Sequence, residues 1–416
     1  MKKIIALVLV LAMVACLFAG CGKKNDDTKK TDEPAKTDEP AKTDEPAKTD
    51  EPAKTDEPAK TDEPVETNEP ATEEVLNPDF KIALVTDVGT IDDESFNQAC
   101  WEGVKEFAEK YDLDYTYYQP TANEDEARIA SVNQAVSEGY NVIVMPGYLF
   151  GPTLINVQEE HPDVKFVAVD VGAGDMTTDY VTFYEPTANS VCMTFAEEQA
   201  GYLAGYAAVK AGYTKLGFLG GMAVPAVIRY GFGYVQGAAA AAAEDNVQLD
   251  IKYTYGGQFY GDANITAKME GWYAGDTEVV FACGGGIYTS AVEAANKYGK
   301  KVIGVDVDQS YIDDCIITSA MKGLANVVVT TLTDLARGNW DANYGGKFLT
   351  FDLTKGEYVG LPTAEKSWKL GKFTVAQYEA EKDKLISGEI VVDNTTNETG
   401  DPSHLATDHV KIEFIA

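Results

Sequence analysis

Histidine is nearly absent from this 416-residue chain, occurring only at His161, His404 and His409. That leaves little for a His-based metal site or a Ser-His-Asp triad. Basic residues are scarce too: 34 Lys and Arg stand against 67 Asp and Glu, a formal net charge of −33. Such a balance argues against nucleic acid, whose phosphates need clustered cations, and against an anionic membrane surface. No C-x-x-C pair, no G-x-S-x-G and no G-K-[ST] occurs, so the redox, hydrolase and phosphate-loop signatures are missing. Long apolar runs are limited to one, Ile4 to Phe18, and that falls short of the ~20 residues of a comfortable membrane span.

What is there begins with a leader. Lys2 and Lys3 precede the apolar run, and Ala19-Gly20-Cys21 follows it. This is a secretion signal resembling a bacterial lipobox, with Cys21 as the lipidated residue; Cys16 is a weaker candidate, and a plain signal peptide the simpler alternative. Residues 31 to 60 are five copies of TDEPAK, continued by TDEPVE and TNEPAT to residue 72. Recurrent proline, dense charge and no aromatics forbid a packed core. An extended acidic linker is expected, reaching on the order of 100 Å at a polyproline-like rise. Such a tether suits a domain held off a membrane.

From Phe80 onward short apolar segments alternate with helical periodicity. KIALVT (Lys81–Thr86) reads as a strand, and Phe96, Cys100, Val104, Phe107 and Tyr111 recur at helix spacing. Tyr115–Tyr118, Asn141–Met145, Val164–Val169 and Tyr180–Phe183 read as strands, and Thr187–Ala211 as one long helix. The alternation then restarts, with strands at Lys215–Leu219, Leu249–Tyr255, Val279–Cys283 and Val302–Val305. Strands alternating with helices predict parallel sheets covered on both faces, and two such runs predict two doubly wound lobes with a cleft between them. Cys100, Cys192, Cys283 and Cys315 lie in apolar stretches and read as buried thiols.

Ligands of doubly wound sheets sit beyond the carboxyl ends of the strands, and those ends carry the candidate chemistry. Asp87 closes the first strand; Gly89, Asp92, Asp93, the N-cap candidate Ser95, Phe96 and Asn97 follow it. Simple helix capping accounts for Asp92 and Asp93. Tyr148 follows the third strand, Asp170 ends FVAVD, Gly284–Gly286 end VVFAC, Asp306 and Asp308 end VIGVDVD, and Lys322 ends ITSAMK. Three carboxylates (Asp87, Asp170 and Asp306) predict a pocket that grips vicinal hydroxyls and repels phosphate, so a neutral polyol or nucleoside. Asp306, Asp308, Asp313 and Asp314 do not follow a calcium-loop spacing, and neither metal nor cofactor is expected. Nothing supplies an activated nucleophile or water, so a binding protein is expected, not an enzyme.

VTDVGTIDDESFNQ (Val85 to Gln98) with Trp101-Glu102-Gly103 resembles the opening of the basic membrane protein family, the PnrA-like nucleoside-binding lipoproteins of ABC importers. LGFLGG with IRYGFGYVQG, EVVFACGGG, VIGVDVDQ, TSAMKG and LISGEI extend the resemblance over residues 80 to 392. The resemblance implies a type I periplasmic-binding-protein fold, α/β, with two doubly wound lobes joined by hinge strands. It implies a monomer that captures a purine nucleoside and hands it to an ABC permease with a cytoplasmic ATPase. Phe96 matches a ring that stacks on the base, with Asn97 and Asp87 as polar contacts beside it. Tyr230 stands where a second stacking phenylalanine is expected, with Phe232 as fallback, and Tyr148 likewise replaces a common Phe. Asp306 and Lys322 match the ribose contacts, Gly285 a backbone contact and Asp170 an acid for the base edge.

The expected organisation is a signal at 1–20, a linker at 21–76, a first lobe from 77–186 and 319–340, and a second from 187–318 and 341–392. Residues 393–416 form an extension to which no role attaches, although Val410–Ile415 alternates like a strand. The expected place is outside the cytoplasm, lipid-anchored on a Gram-positive type of membrane. A sugar receptor of the same fold, or a tethered signalling receptor, stays open as an alternative.

Overall fold

The computed structural model describes residues 76 to 415, apart from 77 and 88. The leader, the lipidation candidate Cys21 and nearly all of the TDEPAK linker lie outside the described residues.

The first run gives β1 (Ile82–Val85), α1 (Phe96–Lys110), β2 (Tyr115–Tyr118), α2 (Asp125–Ser137), β3 (Val142–Pro146), α3 (Phe150–Glu160), β4 (Lys165–Val169) and β5 (Ser190–Phe195). The second gives α4 (Glu197–Lys210), β6 (Lys215–Gly220), α5 (Pro225–Asp245), β7 (Leu249–Tyr255), α6 (Ala263–Ala274), β8 (Val279–Cys283), α7 (Tyr288–Tyr298), β9 (Lys301–Asp306) and β10 (Ile316–Lys322). The chain then returns through α8 (Leu324–Ala336), α9 (Trp340–Asn343) and β11 (Lys347–Phe351). It ends with β12 (Val359–Gly360), α10 (Val375–Ile386) and β13 (Val410–Ile415). One sheet has the order β11-β5-β4-β3-β1-β2, the other β12-β10-β9-β8-β6-β7-β13. All pairings are parallel except β10 with β12. Strands such as IALV and VIVMP are buried along their whole length, because helices cover both faces of each parallel sheet.

Several sequence expectations give way here. Thr187–Ala211 is not one helix: SVCMTF forms β5, paired with β4 and β11, and α4 begins only at Glu197. β5 therefore belongs to the first lobe, which moves the expected boundary at 187 to Ala196. Residues 319–322 end β10 in the second sheet, and residues 347–351 form β11 in the first, so the expected splits at 319 and 341 also shift. Tyr180–Phe183 is not a strand. Asp179 accepts the N–H groups of Val181 and Thr182, and Tyr180 takes a φ of 58°, which folds the segment into a turn with exposed aromatic residues. The tail is no appendage, since β13 adds to the edge of β7 over six residue pairs.

Helices α4 and α5 pack unusually close. A Cβ on Gly201 or Gly205 would lie about 2 Å from the carbonyl oxygen of Tyr230 or Tyr234. Gly233 and Gly237 stand in the same relation to Glu198 and Tyr202. Only glycine allows this backbone approach. It brings the start of α4, with Glu197 and Glu198, against the first turns of α5, which carry Arg229 and Tyr230. The cysteines Cys100, Cys192, Cys283 and Cys315 are buried and free.

Candidate functional site

A cavity of about 460 Å³ lies at the carboxyl ends of both sets of parallel strands. All nine expected ligand contacts line it: Asp87, Phe96, Asn97, Tyr148, Asp170, Tyr230, Gly285, Asp306 and Lys322. They stand at the strand ends, where ligands of doubly wound sheets sit.

From the first lobe, Asp93 organises the start of α1. Its two oxygens accept the backbone N–H groups of Ser95, Asn97 and Gln98 at 3.0–3.1 Å. This is the capping role expected of the acids at this position. Ser95 departs from expectation: it occupies the N-cap position, yet its hydroxyl makes no cap bond. It donates instead to Asp306 Oδ2 of the other lobe at 2.6 Å. The Asn97 amide donates to Asp87 Oδ1 and Asp93 Oδ2, both at 3.1 Å. Two carboxylate acceptors fix which end of the amide is nitrogen, so Asn97 Oδ1 is the free end. It is buried with no hydrogen-bond partner. A buried orphan acceptor of this kind costs about 1–3 kcal/mol until a donor arrives.

A charge cluster spans the lobes behind these groups. Lys322 Nζ lies 2.5 Å from Asp170 Oδ2 and 3.1 Å from Glu197 Oε1, and Arg229 Nε donates to Glu197 Oε2 at 2.6 Å. The Lys322 side chain is 3% exposed and that of Glu197 fully buried. Burial would raise the Glu197 carboxyl, but Arg229 and Lys322 overcome it and hold it below the usual range. Burial pushes Asp170 up to about 6 against the pull of Lys322. It likewise raises Asp306, opposed by Lys322 and the Ser95 hydroxyl. Asp170 Oδ1 is a second buried acceptor without a partner. Both Asp170 and Asp306 take left-handed backbone (φ 61° and 64°) at the ends of β4 and β9. Strain of this kind concentrates where a side chain must be aimed.

The aromatic residues are placed more subtly. Lys322 Nζ stands 5.4 Å from the Phe96 ring and 5.5 Å from the Tyr230 ring. The Tyr230 hydroxyl donates to Ala320 O at 3.3 Å, and its ring meets Phe281 edge-on. The extra oxygen thus has its partner inside the second lobe, and Tyr230 is only 1% exposed. The fallback Phe232 is not at the cavity; it packs edge-on against His404. Phe259 was not anticipated. It lines the cavity half-buried, and a Cβ on Gly221 or Gly284 would strike its ring. Gly284 and Gly285 have φ of 141° and 50°, and a Cβ on Gly285 would lie 2.8 Å from Phe259 O, so the glycine run makes room for this loop. Asp308 sits beside the site as a cap, accepting from Ser310 N and Ser367 Oγ.

Sequence reasoning missed Arg229, Asp175 and Glu197. The first two line the cavity, and the third fixes Arg229 and Lys322. One sequence signal pointed to Glu197: two adjacent acids open a helix, EEQAGYLAGYAAVK, that is otherwise almost wholly apolar and buried.

The family described as "ABC transporter substrate-binding protein PnrA-like" matches residues 80–396. The ABC transporter nucleoside-binding protein BmpA of Lactococcus lactis is 30% identical over 72% of this chain and 86% of its own length. Basic membrane protein A1 of Borrelia garinii is 29% identical, over 75% and 88%. Among solved structures, an ABC transporter solute-binding protein from Aeropyrum pernix superposes with a TM-score of 0.63. It is 22% identical, over 77% of this chain and 95% of that one, a likeness of fold consistent with the type I periplasmic-binding-protein architecture.

Proposed function

We propose a function from one premise: this chain belongs to the PnrA-like family of ABC transporter substrate-binding proteins. In our reading it captures a purine nucleoside in the cavity between its lobes and delivers it to a membrane permease. The domain is tethered outside the cell through a lipid on Cys21 and the acidic linker.

The observation that carries this reading is the pair of buried, unpartnered acceptors at the cavity, Asn97 Oδ1 and Asp170 Oδ1, together with the half-buried ring of Phe96 that lines it. Acceptors that lack donors suit a ligand rich in O–H and N–H groups. An aromatic ring beside them suits a ligand with a flat face. A nucleoside has both, and the carboxylates Asp87, Asp170 and Asp306 disfavour its phosphorylated forms. The cavity volume falls within the ~300–1,000 Å³ common for small-molecule sites. Because residues from both lobes line the cavity, a bound ligand bridges them and stabilises the closed form by its differential affinity.

A thermal-shift series on ligand-stripped protein tests the proposal. At a hundredfold excess over Kd a ligand adds about 2.7 kcal/mol of stability, enough to raise Tm by several degrees. Guanosine, inosine or adenosine should do so; uridine and ribose should do so far less. A shift with ribose and none with any nucleoside would replace this reading with a sugar receptor.

A further inference from the structure

The charge cluster contains a group that nucleoside capture alone does not require. Arg229 lines the cavity, yet the hydrogen bond that holds it uses only Nε, donated to Glu197. Its two terminal amino groups, a planar fork of N–H donors, are uncommitted among the described residues. Two acids of the first lobe that also line the cavity are close enough to interact electrostatically with it: Asp170 and Asp175. Asp175 Oδ2 accepts the Gly172 N–H at 2.8 Å, and Asp170 Oδ1 has no partner. The site therefore offers a fork of donors from the second lobe within electrostatic reach of carboxylates from the first.

Resting on the nucleoside reading above, we infer that Arg229 determines base specificity, selecting 6-oxopurine nucleosides (guanosine and inosine) over adenosine. Guanine presents two acceptors, O6 and N7, next to its N1–H and N2–H donors. The fork of an arginine pairs with O6 and N7 in a bidentate manner, and the neighbouring carboxylates accept from N1–H and N2–H. Hypoxanthine keeps the O6, N7 and N1–H part of this pattern. Adenine reverses it: the N6 amino group meets the arginine donor to donor, and N1 meets the carboxylate acceptor to acceptor. Mismatches of this kind leave buried groups unpaired, which is how polar sites reject near-isosteric ligands. Glu197 acts as the positioning residue, since it is fully buried and fixes the guanidinium through Nε.

Calorimetric titration of the ligand-stripped protein with guanosine, inosine, adenosine and 7-deazaguanosine decides the matter. Guanosine and inosine should bind about tenfold or more tighter than adenosine, and 7-deazaguanosine, which lacks the N7 acceptor, about tenfold weaker than guanosine. Arg229→Gln should lower the guanosine-to-adenosine ratio by about tenfold or invert it, because glutamine pairs with adenine N6 and N7. A merely structural role would weaken every nucleoside alike. Equal affinity for guanosine and adenosine, or for guanosine and its 7-deaza form, overturns the inference whether or not the variant folds. Purine binding without base preference would sink this inference and leave the proposed function standing; binding of no nucleoside would sink both.

Discussion

At the scale of single residues the site is a problem of buried charge. Among the described residues, Glu197 is the sole carboxylate that contacts both Arg229 and Lys322, at 2.6 and 3.1 Å. Removing Glu197 leaves Arg229 without its ion-pair partner and Lys322 with Asp170 alone, and breaking a buried pair in this way costs about 3–5 kcal/mol. Glu197→Ala should therefore lower the unfolding free energy in denaturant titration by that amount, whereas a loss under 1 kcal/mol would mean that the cluster is solvated. Acidity acts on neighbouring groups in the opposite sense. Burial raises Asp170 and Asp175 to about 6, and burial together with Glu197 raises Glu198 to about 7. A carboxyl that holds its proton more tightly in the folded chain adds stability that is complete below its unfolded value, near 4. That contribution is lost as the pH climbs through the folded value. The ligand-free protein should thus melt a few degrees higher at pH 5.5 than at pH 7.5. Below pH 4 protonation of Glu197, whose value is lowered, reverses the trend. A Tm that rises steadily from pH 5.5 to 7.5 contradicts this account.

At the scale of elements, β13 is the most instructive piece. The family match ends at residue 396, yet β13 pairs with β7 along its length, and Phe414 packs against Tyr253 and Tyr255. Tyr255 OH also donates to Gly400 O at 3.1 Å. A chain ending at Thr396 should lose on the order of 3 kcal/mol from buried Val410 and half-buried Phe414 and expose the β7 edge to association. Its nucleoside affinity should be unchanged, since no described residue beyond 396 lines the cavity. A tenfold change in affinity would contradict that division of labour. Elements of this kind also mark what could be read from sequence. Val410–Ile415 alternates and was legible as a strand, but its partner strand was not, because pairing is a long-range property. SVCMTF was misread as helix because a strand buried on both faces shows a continuous apolar run rather than alternation. YVTF read as a strand from its β-forming residues, and the local Asp179 turn overrode them. The strand-end residues were legible because chain order places them, one after another, at one edge of each sheet. Arg229 and Glu197 were not, because only the glycine-lined approach of α4 to α5 brings them together.

At the scale of the whole molecule, the lobes are linked across the cleft by a few polar contacts beside the cavity. Ser95 donates to Asp306, Gln309 Nε2 donates to Glu94 O at 2.9 Å, Tyr311 OH donates to the Glu94 carboxylate, and Lys322 pairs with Asp170. A typical hydrogen bond contributes about 1 kcal/mol net, so the set is sufficient to bias closure and too weak to lock it. Ser95→Ala with Gln309→Ala should increase the radius of gyration of the ligand-free protein in small-angle scattering. Saturating guanosine should restore the compact value. An unchanged radius would mean that these contacts do not hold the lobes together.

The central claim is that a purine nucleoside is held between Phe96 and the acids of both lobes. Calorimetric titration of guanosine into the ligand-stripped protein, beside Phe96→Ala and Asp306→Ala, tests it most directly. The account predicts tight one-to-one binding that weakens by roughly 10–100-fold when the Phe96 ring is removed, from about 1–3 kcal/mol of stacking, and by at least as much without Asp306. Guanosine binding that both variants retain at full strength would contradict it.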